Sequence, residues 1–402
     1  MTAQATIDSK LNQPGLTDQQ LLEWRRLPAA QQPKWADSAL AARALTELTG
    51  LPGLVGVDEI DALSDQLALV AGGQRLVVQA GDCAEDLAHS GPAELAPKLS
   101  LLAELGRQLS GGSGLPVVTV GRLAGQFAKP RSHPEEMIGD LRLPAFRGQL
   151  INGAEPDPLA RRHDPRRLLA GYRAAATALS FLRSHAPGTW TSHDALVLDY
   201  ELPLLRRAAD GRLLLSSTHW PWIGERTRQL DGAHLRLLAS IGNPVACKVG
   251  PNATANDLLA LCERLDPGRR PGRLTLIARQ GAGVTARRLP ALVTAVRTAC
   301  YPVIWLCDPM HANTVRTPSG HKSRVFDTVA CEIVEFRAAV EDGGGVAGGL
   351  HLEVTPDEVT ECVWSSDQLA DVDGSRYSSL CDPRLNAEQA LAAARQWTAA
   401  GS

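Results

Sequence analysis

Two charged residues stand inside otherwise apolar runs: Lys248 in PVACKV (244–249) and Glu353 in GLHLEV (349–354). A charge so placed costs free energy unless it is paired or used. Runs of the same texture end in equally reactive types. RLVVQA (75–80) leads into Gly81-Asp82-Cys83, and LPVVTVG (115–121) into Arg122 and then Lys129-Pro130-Arg131-Ser132. RLTLIA (273–278) ends at Arg279, and PVIWLC (302–307) is followed by Asp308-Pro309-Met310-His311. Two chemistries collect at these ends. The cations Arg122, Lys129, Arg131, Lys248 and Arg279 suit an anionic substrate with more than one phosphate or carboxylate, because guanidinium groups grip oxyanions in pairs of hydrogen bonds. Cys83, His311 and Glu353 are metal-ligand types on separate runs and can hold one divalent transition metal with an open position. Singly, each has a plainer reading: Lys248 and Glu353 as partners of each other or of local charges, Cys83 as a buried thiol, His311 as a hydrogen-bonded loop residue. Glu225, Arg226 and Arg228 in HWPWIGERTRQLDGAH (219–234) read either as a surface ion-pair patch or as part of the same face. Ser192 and His193 in TSHDALVLDYE (191–201) lack a G-x-S-x-G elbow, which argues against a Ser-His hydrolase.

The elements that carry these residues alternate. RLLLSS (212–217) joins the six runs above to give seven candidate strands, with an eighth expected near 190–200. Between them lie amphipathic stretches such as Leu289, Leu292, Val293, Val296 and Cys300, or Leu258, Leu259, Cys262 and Leu265, spaced to paint one helix face. Near-continuous apolar strands alternating with helices indicate a parallel sheet covered on both faces. The number of units favours an α/β fold of the (β/α)8 type, whose reactive residues sit at the C-terminal strand ends. No G-x-G-x-x-G follows a strand, which weakens a dinucleotide-binding alternative. Residues 1–74 read as a helical arm, with Thr17/Gln20 as a capping box, Asp37 as a second cap and a third helix from about Asp58 to Val70. Residues 75–402 form the barrel. The runs GGSG (111–114) and GGG (343–345) read as helix-to-strand connections. The formal charge of −3 over 402 residues gives no basic field for nucleic acid. No apolar run reaches the length of a bilayer span, and no secretory signal is visible, so a cytoplasmic location is expected. The eight cysteines form no C-x-x-C pair and read as reduced, buried thiols, with Cys83 set apart from the rest.

As a set, the motifs resemble type II 3-deoxy-D-arabino-heptulosonate 7-phosphate (DAHP) synthases. They are QAGDCAE (79–85), VGRLAGQFAKPRS (120–132), TSHDALVLDYE, HWPWIGERTRQLDGAH, CKVGP (247–251), GRLTLIAR (272–279), PVIWLCDPMHAN (302–313), GLHLEVTPDEVTEC (349–362) and CDPRLN (381–386). They stand in the family's order, after an N-terminal LPAAQQPKW. The resemblance implies a metal-dependent barrel enzyme with an N-terminal helical extension. It would condense phosphoenolpyruvate with erythrose 4-phosphate to DAHP and phosphate, the first shikimate step. It implies Cys83, His311, Glu353 and Asp382 as ligands of one divalent ion, Mn²⁺ or Co²⁺. It implies Arg122, Arg226, Lys248 and Arg279, with Glu225 nearby, for phosphoenolpyruvate, and Lys129, Arg131 and Ser132 for erythrose 4-phosphate. Glu225, Lys248 and a water remain alternatives for general acid and base. A homo-oligomer, dimer or tetramer, is expected, with neither nucleic acid nor membrane as partner. The sequence departs from the family pattern at Ala80, Gln149 and Ala312, and alanine would be strained where a left-handed backbone is needed. The interval after Leu182 is short where longer members carry an inhibitor-binding helical pair. This is similar to a subgroup of secondary metabolism, as in phenazine biosynthesis, and weak feedback inhibition is expected. An amino or imino analogue of the sugar phosphate, or a non-catalytic regulatory homologue, are the competing readings.

Overall fold

The computed structural model describes residues 14–399. Eight strands form one parallel sheet: β1 (Leu76–Gly81), β2 (Val117–Arg122), β3 (Trp190–Thr191), β4 (Trp222–Ile223), β5 (Val245–Val249), β6 (Leu274–Ala278), β7 (Ile304–Cys307) and β8 (Val346–Glu353). Their spatial order is β3-β2-β1-β8-β7-β6-β5-β4. The ring closes where Asp194 bridges Trp222, with the Trp222 N–H donating to His193 O (3.0 Å) and the Ala195 N–H to Trp222 O (2.9 Å). A helix follows each strand in turn. Among the described residues three helices precede the barrel: α1 (Asp18–Arg25), α2 (Ser38–Gly50) and α3 (Val57–Ala71). The barrel helices are α4 (Pro92–Ser113), α5 (Arg166–His185), the single turn α6 (Leu198–Glu201), α7 (Ala233–Ser240), α8 (Ala255–Leu265), α9 (Thr285–Thr298), α10 (Phe326–Asp342) and α11 (Ala387–Ala399). This is the (β/α)8 architecture. Among the described residues no helix is long and apolar enough to cross a membrane.

Period-two alternation sorts the strand residues. Val77, Val118, Val120, Trp222, Ala246, Ile277, Ile304 and Leu306 cluster inside, and Leu63, Leu67 and Val70 of α3 pack against them. Helix α3 therefore caps the N-terminal end of the barrel. One step further along the same inward faces stand Arg122, Lys248, Asp308 and Glu353, all buried. The interior is thus apolar below and charged above. The outward faces pack on the helices, where Leu289, Leu292, Val293 and Val296 of α9 are buried as their spacing requires.

Two glycines are needed for this register. Gly349 has φ 137°, and a Cβ there would lie 1.9 Å from Val77 O. It follows a bulge: Trp305 pairs with Ala347 but Leu306 with Gly349, which skips Gly348 and sets the parity that turns His351 and Glu353 inward. Gly81 has φ 151° and a Cβ would meet Arg122 O at 2.7 Å. The chain can therefore bend after β1 and deliver Cys83 over the barrel mouth.

Four expectations are corrected. RLLLSS is no barrel strand: Leu213–Leu215 pairs antiparallel with Leu205–Arg207 in a hairpin outside the ring. The fourth strand is instead the two-residue Trp222–Ile223, too short to leave a run. GGSG is mainly helix, because α4 continues to Ser113 before Gly114 ends it at φ 71°. Cys300 lies beyond α9 and is exposed, as is Cys331. The capping box at Thr17 and the Asp37 cap form as read, the latter accepting from the Leu40 N–H at 2.8 Å. Neither Ala80 nor Ala312 adopts a positive φ, so alanine is unstrained at both.

Candidate active site

The strand ends open into a cavity of about 890 Å³. Its wall includes Cys83, His311, Glu353 and Asp382, together with Arg122, Lys129, Arg131, Ser132, Glu225, Arg226, Lys248 and Arg279. Every residue that the family resemblance implies for the site lines this one space, whereas Arg228, Ser192 and His193 do not.

Ligand atoms of Cys83, Glu353 and Asp382 lie within 4.8 Å of one another. His311 joins them through Glu353, its Nε2 standing 3.1 Å from Oε1. Asp382 arrives by a different route from the others. The long β8–α11 loop returns to the end of β8, where the Leu385 N–H donates to Glu353 O (3.0 Å) and the Thr355 N–H to Leu385 O (2.9 Å). Arg384 then ties this loop to the residue beside Cys83, donating to Asp82 Oδ1 at 2.6 Å. The Asp382 N–H points at Cys83 Sγ (3.2 Å).

The donor set fits a divalent cation. The Lys129 ammonium sits 2.5 Å from Cys83 Sγ, 3.1 Å from Glu353 Oε1 and 2.5 Å from Asp382 Oδ2, so one positive charge already satisfies three of the four groups. Burial, a hydrogen bond with Cys381 and the charge of Glu353 push the Cys83 thiol well up. The thiol therefore ionises only beside a stronger positive charge. Burial alone would raise Glu353 and Asp382. The cations around them win and hold both carboxylates down.

Asp308, recorded in the sequence but given no role, organises the next layer. Its buried carboxylate accepts from Lys248 Nζ (2.9 Å) and lies 2.8 Å from His311 Nδ1. With a proton on Nδ1, His311 presents Nε2 toward Glu353, the usual orientation of an imidazole ligand held by a carboxylate. Lys248 and Glu353 do not pair with each other. Burial lowers the Lys248 ammonium, and Asp308 partly opposes that. Arg324, also unforeseen, is fully buried. It donates from Nη2 to Glu353 Oε2 (2.9 Å), from Nε to Met310 O (2.8 Å), and from Nη1 to Pro383 O. One guanidinium thus ties together the segments bearing His311, Glu353 and Asp382.

The cations divide by partner. Arg122 is buried against Glu353 (3.1 Å) and its Nη1 lies 2.6 Å from His351 Nε2. Arg131 bonds Glu136 (2.7 Å). Among the described residues the Arg226 side chain bonds only the Ser132 hydroxyl (2.7 Å), and that of Arg279 only the His311 carbonyl (3.0 Å). Among the described residues neither has a carboxylate within ion-pair distance. Both oxygens of Glu225 are engaged, by the Gly250 N–H (2.7 Å) and by Arg228 (2.7 Å). The loop to Lys129 is shaped by Glu85, which accepts from the N–H groups of Ala124, Gly125 and Gln126.

The sequence reading passed over Asp194. It lines the cavity, and its Oδ1 has no hydrogen-bond partner among the described protein atoms. Burial raises its carboxyl to about 7, with Lys248 pulling the other way. An Asp directly after Ser-His drew attention to the wrong pair: the His193 imidazole bonds Glu201 (3.0 Å) and is buried structure.

A cationic cavity at the C-terminal mouth of an α/β barrel, with a thiol, an imidazole and two carboxylates at one corner, defines an enzyme for phosphorylated substrates that is suited to a divalent metal. A sequence model of the Class-II DAHP synthetase family matches residues 19–189 and 185–398, and the chain belongs to that family, the 3-deoxy-7-phosphoheptulonate synthases. A probable phospho-2-dehydro-3-deoxyheptonate aldolase of Pseudomonas fluorescens is 51% identical over 380 residues, covering 92% of this chain and 95% of the relative. The phospho-2-dehydro-3-deoxyheptonate aldolase of Streptomyces coelicolor is 38% identical over 423 residues, covering 92% and 94%. The solved phospho-2-dehydro-3-deoxyheptonate aldolase of Francisella tularensis shares the fold, with a TM-score of 0.54 at 14% identity, over 90% of this chain and 95% of that one.

Proposed function

We propose that this chain condenses phosphoenolpyruvate with erythrose 4-phosphate at the barrel mouth, and that Cys83, His311, Glu353 and Asp382 hold one Mn²⁺ or Co²⁺ ion. The observation that carries the reading is the Cys83–Glu353–Asp382 cluster opening onto the same cavity as Arg226, Arg279 and Lys248. The ion would supply Lewis acidity toward the aldehyde as it is attacked. Arg279 and Arg226, lacking carboxylate partners, are free to grip phosphate and carboxylate oxygens. Lys129, Arg131 and Ser132 take the sugar phosphate. C3 of phosphoenolpyruvate bonds to the aldehyde carbon, whose oxygen gains a proton, and positive character develops at C2. Water then adds to C2 and loses one proton; the C2–O bond to phosphate breaks as the new C2 hydroxyl becomes the ketone, its remaining proton leaving with the phosphate. Lys248, a buried ammonium beside His311, is placed to give the first proton. Asp194 is placed to take the second, a task that suits a carboxyl raised to about 7 better than the doubly engaged Glu225.

The connection from α5 to β3 spans residues 186–189 only. That leaves no room for an inhibitor-binding helical pair and supports weak feedback inhibition and a role in secondary metabolism. An inhibition constant of roughly tens of micromolar for Phe or Trp overturns this part. A cytoplasmic homo-oligomer is the setting we propose. The central test follows phosphoenolpyruvate loss with erythrose 4-phosphate, before and after chelation and after Mn²⁺ or Co²⁺ is restored. No loss with any metal overturns the reading.

A further inference from the structure

The segment before α2 contributes two consecutive glutamines, Gln31 and Gln32, that do not line the cavity yet grip two of the loops that do. Gln31 sits in the left-handed region at φ 62°. For a non-glycine residue that costs about 1 kcal/mol and persists only where surrounding contacts impose it. Its amide meets the backbone of Arg131 twice: Nε2 donates to Arg131 O (3.1 Å) and the Arg131 N–H donates to Oε1 (3.0 Å). Arg147, from the same β2–α5 loop, donates to both Gln31 O (2.6 Å) and Gln31 Oε1 (3.0 Å).

Gln32 repeats the device on the loop after β3. Its Nε2 donates to Leu196 O (2.8 Å) and its Oε1 accepts from the Leu198 N–H (3.0 Å), just beyond Asp194. The segment itself is anchored at both ends. Pro28 O accepts from the Ala233 N–H at the start of α7 (2.9 Å), and the Trp35 indole N–H donates to Asp199 Oδ2 (2.7 Å). Reversal of the chain at Gln31 is what lets adjacent side chains reach different loops.

We propose that the Gln31-Gln32 pair is a two-sided clamp that sets the Lys129–Ser132 segment at a fixed distance from the Asp194 loop, which makes Gln31 a positioning residue for the sugar phosphate. This rests on the reading of that segment as the erythrose 4-phosphate site. The Arg131 guanidinium is already directed by Glu136. The amide of Gln31 fixes the backbone to which it is attached, so both ends of the residue are held before substrate arrives. A loop held this way loses little entropy on binding.

The test is steady-state kinetics with each substrate varied in turn, alongside thermal midpoints, for Gln31→Ala, Gln31→Asn, Gln32→Ala and Arg131→Ala. Asparagine suits the left-handed backbone but is one methylene too short to span to Arg131, so it separates the clamp from the strain and carries the test if the alanine variant fails to fold. Both Gln31 variants should raise KM for erythrose 4-phosphate about tenfold, the loss expected for two hydrogen bonds. KM for phosphoenolpyruvate should stay within about twofold. Gln32→Ala should act mainly on kcat through the Asp194 loop. A merely structural role would instead move both KM values and the thermal midpoint together, and that result overturns the clamp. So does an erythrose 4-phosphate KM within about twofold of wild type in the Gln31 variants while Arg131→Ala raises it. If Arg131→Ala also leaves that KM unchanged, the fault lies in the sugar-phosphate site, and the clamp as assigned falls with it.

Discussion

Asp194→Asn should make the protein more stable and nearly inactive. The wild-type carboxyl is raised from 3.8 to about 7, chiefly by burial. Below about pH 3.8 the folded and unfolded states both hold the proton, and nothing is lost. As pH rises from there to about 7 the unfolded state ionises first, so folding stability falls. Above about 7 both states are ionised and the deficit is constant. The gap of about 3 pH units, at 1.36 kcal/mol each, gives roughly 4 kcal/mol, the most that removing the ionisation can recover. Asparagine keeps the shape and cannot ionise. Urea midpoints measured from about pH 4.5 to about pH 8.5 should therefore diverge. The variant should be the more stable form at the alkaline end, and the curves should converge toward acid. Over the same range kcat of the variant should fall by about 10² to 10⁴, as for loss of a general base, while wild-type activity rises through neutrality. A variant that is less stable than wild type at alkaline pH refutes the burial argument. A variant with wild-type kcat refutes the catalytic one.

Cys83→Ala should lose bound Co²⁺ and activity yet keep its far-ultraviolet circular dichroism; an active, metal-loaded variant removes Cys83 from the site. Arg279→Ala should raise KM for phosphoenolpyruvate by at least about tenfold with little change in urea midpoint, since among the described residues its side chain bonds only the His311 carbonyl. Unchanged kinetics would exclude a role in substrate binding. Arg324→Met leaves Glu353 buried with one cation fewer, and by the cost of breaking a buried pair should destabilise the fold by about 3 to 5 kcal/mol. A urea midpoint near wild type would show that Arg122 and Lys129 suffice.

What the sequence made legible follows the length of the elements. Strands β1, β2, β5, β6, β7 and β8 each leave an apolar run, and the reactive residue after each run could be read directly. Strand β4 is two residues long, and its periodicity cannot be told from that of the hairpin beside it. The apolar leucines of RLLLSS pack on the barrel from outside and carry the same pattern for a different reason. Asp382 belongs to no run, since its place depends on a loop returning to the end of β8, a tertiary event without local signature. Asp194 and Arg324 were passed over because their significance is relational. A carboxylate becomes unusual only when burial strips its partners, and a guanidinium only when three chain segments converge on it. For Asp308 a signal existed: a carboxylate three residues before a candidate ligand histidine is spaced to hold its ring.

The net charge of −3 and a cationic cavity are reconciled by how the cations are held. Lys248 is paired with Asp308, Arg122 with Glu353, Arg131 with Glu136 and Lys322 with Asp382. Each of these acids fixes the direction of its partner and cancels its charge at a distance. A pair of this kind is weak evidence for stability but strong evidence for orientation. Arg226 and Arg279 differ, for among the described residues their side chains are bonded only to a hydroxyl and a carbonyl, neutral acceptors that aim a guanidinium without neutralising it. Arg226 is lowered by burial and by the neighbouring Arg279, so two like charges are held close against their repulsion. An anion lying between them would relieve that repulsion. The paired cations are therefore oriented by their acids, and under the proposed reading Arg226 and Arg279, with no carboxylate in ion-pair contact among the described residues, are where a dianionic phosphate would gain most.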